Sequence, residues 1–134
     1  MFLDASAIVA ILTREPGFER LVARMETAQH RSTSGLSVLE AVLALHRIGK
    51  VPIPLAQEVV EAFLGQAAIA IVPLAEPETR EAISAYARYG KGQGHPAQLN
   101  LGDCFSYACA RTNRVPLLFI GNDFSQTDIP SALP

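Results

Sequence analysis

The chain has 134 residues, 49% of them hydrophobic and 18% charged, with a formal net charge of −2 at pH 7. That length holds one domain with a proper core and excludes a second. The mildly acidic balance argues against a general nucleic-acid coat protein, while leaving room for an enzyme that meets nucleic acid through bound cations and a few local arginines.

Phe2 to Asp4 reads as a first strand, Ala5 to Leu12 as a short helix, and Glu15-Pro16-Gly17 as a break. A helix from Phe18 to Ala28 sets Leu21, Val22 and Met25 on one side, and a brief strand spans Arg31 to Ser34. Ser37 opens a helix carrying Val38, Leu39, Val42, Leu45 and Ile48, which Gly49 closes; Ser37 and Glu40 also match a capping box. Pro54 starts an amphipathic helix through Leu64-Gly65, and the β-branched run Ala68 to Leu74 is the clearest strand. Glu76 to Tyr89 is helical, with Pro77 in its first turn. Gly90 to Leu101 forms the longest irregular loop, and Gly102-Asp103 leads into a helix from Cys104 to Thr112.

Val115 to Ile120 is the last strand, and Gly121 to Phe124 the turn after it. The alternation of apolar strands with helices predicts a three-layer α/β/α sandwich around a mainly parallel sheet. Cys104 and Cys109 point in different directions from one helix, which fits buried thiols in a reduced, cytoplasmic protein. No basic leader opens the chain and no stretch reaches bilayer length, so a soluble, unexported protein is expected. So apolar a chain also implies exposed apolar surface, and with it a partner or a self-association interface.

The acids carry the chemistry. Asp4 ends the first strand, Asp123 follows the last, and Asp103 begins a helix. Strand C-termini and helix N-termini share one edge of a parallel sheet, so these three can converge there, with Glu40 joining from the first turns of its helix. Converged carboxylates repel one another and raise at least one pKa unless a cation binds. Hard oxygen ligands select Mg²⁺ or Mn²⁺, and such a metal activates water and stabilises charge on a phosphodiester. Asp4 and Asp103 are the expected metal ligands, and Glu40 and Asp123 complete the catalytic set directly or through ordered waters. Plainer tasks exist for three of them: Glu40 and Asp103 as partners of a helix dipole, and Asp123 as a turn residue. Asp4, after an apolar strand, has no such task.

Met1-Phe2-Leu3-Asp4-Ala5-Ser6-Ala7, Glu40, Leu99-Asn100-Leu101-Gly102-Asp103 with Tyr107-Ala108, and Leu118 to Phe124 together resemble a PIN-domain ribonuclease. More narrowly, they resemble a VapC toxin of the type II VapBC toxin–antitoxin systems, over residues 1–129. The resemblance implies a PIN-like fold and a Mg²⁺- or Mn²⁺-dependent endoribonuclease that stops growth. It also implies inhibition by a cognate VapB-like antitoxin whose C-terminal segment lies along a groove, a toxin homodimer, and operator DNA bound only through the antitoxin. Asp4, Glu40 and Asp103 match the family's acidic positions. Related sequences often carry two adjacent acids after the late strand, where this chain has Asn122-Asp123 with Asp128 close behind. Asp123 is taken as the fourth acid, with Asn122 and Asp128 as the alternatives. The hydroxyl residue frequent at the end of that strand is replaced by Phe119-Ile120.

Weaker signals surround this set. Ser6 is read as a helix N-cap rather than a metal or phosphate contact, and Asn100 as a cap rather than an orienting group for Asp103. His30, His46 and His95 show no ligand spacing, which argues against zinc. Arg14, Arg20, Arg24 and Lys91 are candidates for gripping RNA phosphates, and the Gly90 to Pro96 loop for bordering the groove. Val59, Val60 and Phe63 are read as antitoxin or dimer contacts in a helix-in-groove mode. The alternative function is a non-catalytic cation-binding or regulatory α/β module of the same fold. A phosphotransfer receiver would show paired acids at the first strand, and an aspartyl phosphatase a second acid where Ser6 stands.

Overall fold

The computed structural model describes all of residues 1–134. Strands β1 (Phe2–Leu3), β2 (Arg31–Ser34), β3 (Ile69–Val72) and β4 (Leu117–Leu118) form one sheet in the order β3-β2-β1-β4, every neighbouring pair parallel. Six helices pack on it: α1 (Ala5–Leu12), α2 (Phe18–Glu26), α3 (Gly35–Gly49), α4 (Ile53–Gln66), α5 (Glu76–Tyr89) and α6 (Leu101–Thr112). A 3₁₀ turn, Phe124–Gln126, follows β4.

Two cores lie on opposite faces of the sheet, as a parallel sheet requires. Alternate residues of β1 and β4 go to opposite cores. Leu3 and Leu118 pack with Ile8, Leu21, Leu45 and Val60 on the α1–α4 side. Phe2 and Leu117 pack with Ala85, Tyr107 and Cys109 on the α5–α6 side. Each of these strand residues is fully buried, worth roughly 1.5–3 kcal/mol apiece against exposure. The expected three layers are therefore present.

Strand β2 is polar yet central, and it survives because its buried hydroxyls are satisfied. Thr33 Oγ1 donates to Leu3 O at 2.9 Å, and Ser34 Oγ accepts from Ser37 N at 3.2 Å. That second bond corrects the expected start of α3: Ser34 is the N-cap, Ser37 lies inside the helix, and no Ser37–Glu40 capping box forms. Glu40 is left free of any capping duty. The helix ends on Lys50 in the left-handed conformation (φ 52°), one residue past the expected glycine.

The ends of β1, β3 and β4 also move, while β2 keeps the expected Arg31–Ser34. Asp4 leaves β1 to cap α1, β3 is limited by the four residues of its partner β2, and β4 pairs only through Leu117 and Leu118. The expected strand to Ile120 stops short because the Ile120 N–H turns to Ser6 Oγ at 3.1 Å. On the outer side of β4, Leu117 N donates to Pro130 O, and Ala132 N to Leu117 O, so the C-terminal segment covers that edge. No helix is long and apolar enough to cross a membrane.

Candidate active site

The chain runs from β1 outward to β2 and β3, then crosses back to place β4 on the other side of β1. The order reverses between β1 and β4, and open parallel sheets bind ligands at the C-terminal edge of such a reversal. Asp4 stands there at the end of β1, as the N-cap of α1. It is 5% exposed. Its Oδ2 accepts from Ser6 N at 2.9 Å and Ser6 Oγ at 2.5 Å, and its Oδ1 from Ser106 Oγ at 2.6 Å. Ser6 is thus no N-cap; its hydroxyl joins Asp4 to the Ile120 backbone.

Asp103 comes from the first turn of α6, where it and Asn100 form a reciprocal capping box. Asn100 Oδ1 accepts from Asp103 N at 2.9 Å, and Asp103 Oδ2 from Asn100 N at 3.0 Å. Asn100 therefore both caps the helix and orients the acid, leaving Asp103 Oδ1 outside that exchange. Burial raises the Asp103 pKa to about 6; the Asn100 hydrogen bond pulls the other way, while the charges of Asp4 and Asp123 add to the rise.

Glu40 projects from α3 onto Gly102, the residue before Asp103, which has no Cβ to obstruct the carboxyl. Burial first, then the Asp4 and Asp103 charges, raise its pKa to about 7. Glu40 Oε1 is buried without a hydrogen-bond partner. Asp123 sits on the exposed turn after β4, uses its side chain for no cap, and acts electrostatically on Asp103. The structure thus gathers Asp4, Glu40, Asp103 and Asp123 at one edge. Asp128 lies elsewhere, accepting from Tyr107 Oη at 2.7 Å and from Arg88 and Arg111 at 3.1 Å each. The Tyr107 hydroxyl, with the two arginines, holds its carboxyl well below the ordinary range.

No three His, Cys, Asp or Glu side chains form a cage that would hold an ion by themselves. The donors nevertheless suit a hard dication. Mg²⁺ is commonly bound by one or two carboxylates with water completing its shell. Here repelling carboxylates surround an unpartnered Glu40 oxygen, a charge state that a cation relieves.

A groove of about 510 Å³ runs from this edge between α1 and α3, lined by Ser6, Glu40, Asn100, Leu43, Arg47 and Ile48 among others. Arg47 is the basic residue of this groove, and the sequence reading missed it; its place seven residues after Glu40, two turns along the same helix, was the available signal. Arg14, Arg20, Arg24 and Lys91 do not line the groove. Arg24 instead donates to Ala132 O at 2.6 Å. Gln93 of the glycine loop lines a separate apolar cavity between α5 and α6, so of the loop region only Asn100 borders the acids. Val60 is a core residue with no exposure, whereas Val59 is exposed and Phe63 half-buried against the core. Both cysteines are free and buried, with thiols pushed up to about 11 and about 12 by burial. Ser106 and its contact with Ser37 also escaped the sequence reading, although each serine stands three residues from an acid on its own helix.

The PIN domain family model matches residues 1–130. A VapC ribonuclease of Rhizobium meliloti (strain 1021) is 45% identical over 139 residues, covering 96% of this chain and 98% of the relative. Among solved structures, the crystal structure of Mycobacterium tuberculosis VapC20, described as a Sarcin-Ricin loop cleaving toxin, superposes with a TM-score of 0.76 at 17% identity. That likeness covers 99% of this chain and 98% of the other. A toxin–antitoxin complex from Klebsiella pneumoniae gives a TM-score of 0.65 at 13% identity, over 92% and 89% of the two chains. The two structural likenesses speak to the fold.

Proposed function

The chain belongs to the PIN domain family, and on that premise we propose that it is a Mg²⁺- or Mn²⁺-dependent endoribonuclease toxin of a toxin–antitoxin pair. The observation that carries the reading is the meeting of Asp4, Glu40, Asp103 and Asp123 at the β1/β4 reversal, where Glu40 and Asp103 are both pushed toward neutrality. Such a cluster is costly without a cation and useful with one.

Asp4 and Asp103 would hold the metal. The bound ion would lower the pKa of water and offset charge on the scissile phosphodiester. The chain's own contribution is positional. Three hydrogen bonds fix Asp4, and the capping box fixes Asp103. Glu40, with an oxygen that nothing in the chain occupies, is the carboxylate able to take a proton from an attacking water. Arg47 supplies a positive charge in the groove for an RNA phosphate.

The same groove, with exposed Leu43, Ile48 and Ile120, suits the C-terminal segment of a VapB-like antitoxin. Homodimerisation, operator binding through the antitoxin and a cytoplasmic site of action complete the proposal. Expression in a bacterial host, with and without a cognate antitoxin, tests it. Wild type should arrest growth and cut cellular RNA, the antitoxin should reverse both effects, and Asp4→Ala and Asp103→Ala should abolish both. Growth arrest that survives both substitutions would overturn the proposal.

A further inference from the structure

Three buried serines, Ser34, Ser37 and Ser106, form a hydrogen-bonded chain behind the acids. Ser37 N donates to Ser34 Oγ at 3.2 Å, Ser34 Oγ to Ser37 Oγ at 3.3 Å, and Ser106 Oγ to Asp4 Oδ1 at 2.6 Å. Ser37 Oγ and Ser106 Oγ are 3.3 Å apart. The direction of that link follows from the chemistry of its end. Ser106 Oγ donates its single proton to Asp4 Oδ1, so Ser106 must accept from Ser37. The whole chain therefore points one way, from the first turn of α3 through α6 to Asp4. At the other carboxylate oxygen, Ser6 donates to Asp4 Oδ2 and accepts from Ile120 N.

Ser34, Ser37 and Ser106 are at most 1% exposed, so every link is shielded from water, where an unmade bond is expensive. The placement is also specific. Ser37 and Glu40 stand three apart on α3, and Asp103 and Ser106 three apart on α6, so within each pair serine and acid share one helix face. The contact between Ser37 and Ser106 therefore sets the spacing of the two helices at the level of their acids.

The geometry points to Ser106 as a positioning residue: with Ser37 and Ser34 behind it, it holds Asp4 in the orientation that binds the divalent cation and sets Glu40 and Asp103 at their distance from it. This rests on the metal-dependent reading above. Hydrogen-bond partners of metal-binding groups typically carry about 10–100-fold in metal affinity. Truncating Ser106 removes the Asp4 Oδ1 donor and the Ser37 acceptor together, so a loss of at least about 10-fold is expected.

The test is Mn²⁺ binding to the purified full-length chain, by calorimetry or by the paramagnetic resonance signal of free Mn²⁺, alongside thermal unfolding and RNA cleavage. Ser106→Ala should weaken Mn²⁺ by about 10-fold or more, and Ser106→Thr, which keeps the hydroxyl, should stay within about 3-fold of wild type. Ser106→Cys, close in volume but a weak donor, should fall between them, and it serves where the alanine variant unfolds. In cleavage, the Mn²⁺ concentration for half-maximal rate should rise by the same factor in Ser106→Ala, while the rate at saturating Mn²⁺ returns close to wild type; a merely structural loss would not be rescued by metal. If wild type binds Mn²⁺ and Asp103→Asn weakens it, while Ser106→Ala and Ser106→Cys bind like wild type, this inference alone is overturned. If wild type itself fails to bind Mn²⁺, the metal reading falls and the inference with it.

Discussion

Replacing Gly102 by alanine separates activity from stability more cleanly than removing an acid does. A Cβ built on Gly102 would lie 2.6 Å from Glu40 Cδ, against a comfortable carbon–carbon separation of about 3.5 Å or more. Roughly 1 Å of movement is therefore forced. The carboxyl is the free end of a flexible side chain, so Glu40 withdraws while the α6 backbone stays. Gly102 is not among the residues with positive φ, so alanine meets no backbone strain there. In a helix interior that exchange gains up to about 1 kcal/mol, and less in a first turn. A misplacement of about 1 Å in a catalytic group can cost about 100-fold in rate. Gly102→Ala should then melt at or slightly above the wild-type temperature and cleave RNA about 100-fold more slowly in a single-turnover assay with saturating Mn²⁺. Wild-type cleavage would refute the reasoning, since Glu40 would not need its observed position. A fall in Tm of more than about 5 °C would also refute it, because the loss would then belong to the fold.

Two other expectations follow from the same residues. Glu40 and Asp103 have raised pKa values, about 7 and about 6, so the folded chain keeps protons that the unfolded chain releases. Their stabilising contribution is present at acid pH and is lost as pH climbs from about 4 to about 7, so Tm in EDTA should fall across that range. Mn²⁺ should raise Tm much more at about pH 7.5 than at about pH 5, and an equal effect at both would count against a carboxylate-bound cation. The depressed Asp128 acts oppositely and only below its ordinary range, its stabilisation being lost as pH falls from about 4. Asp128→Asn should cost on the order of 1–2 kcal/mol, by loss of charge-assisted bonds from Tyr107, Arg88 and Arg111 that are partly exposed to solvent. RNA cleavage should be kept in that variant, and its loss in a folded protein would return Asp128 to the site.

How far the sequence could be read depended on whether a feature is local. Helix α5 was legible to both ends, because Glu76, Pro77 and the apolar spacing behind them all act within the helix itself. Strand β2 was legible over Arg31–Ser34 as well, but the ends of β1, β3 and β4 were not, since a ladder stops where its partner stops. The apolar run Val115 to Ile120 yields only Leu117–Leu118 once Ser6, far away in sequence, takes the Ile120 N–H. The serine at position 37 misled for a related reason. Ser34 and Ser37 both suit a cap by type, and the end of β2 decides for the earlier one. Val59 and Val60 are neighbours about 100° apart on α4, so only one could reach the core, and it is Val60.

The four acids were legible because parallel topology sends strand ends and helix starts to one edge, whatever the details of packing. The serine chain was not, because hydroxyl-to-hydroxyl contacts between α3 and α6 have no linear motif. Arg47 escaped although it lies two turns after Glu40 on the same helix, because that spacing alone does not tell an arginine beside a groove from one in open solvent.

The central claim is that these carboxylates cut RNA by holding a divalent cation. The measurement that tests it most directly is the single-turnover cleavage rate of a structured RNA by the purified chain, titrated with Mn²⁺ from an EDTA-treated start, for wild type and for Asp4→Asn and Asp103→Asn. The account predicts no cleavage in EDTA, a saturable rise with Mn²⁺ for wild type, and rates at least about 100-fold lower for both variants at every Mn²⁺ concentration. Cleavage that persists in EDTA, or variants that match wild type, would contradict it.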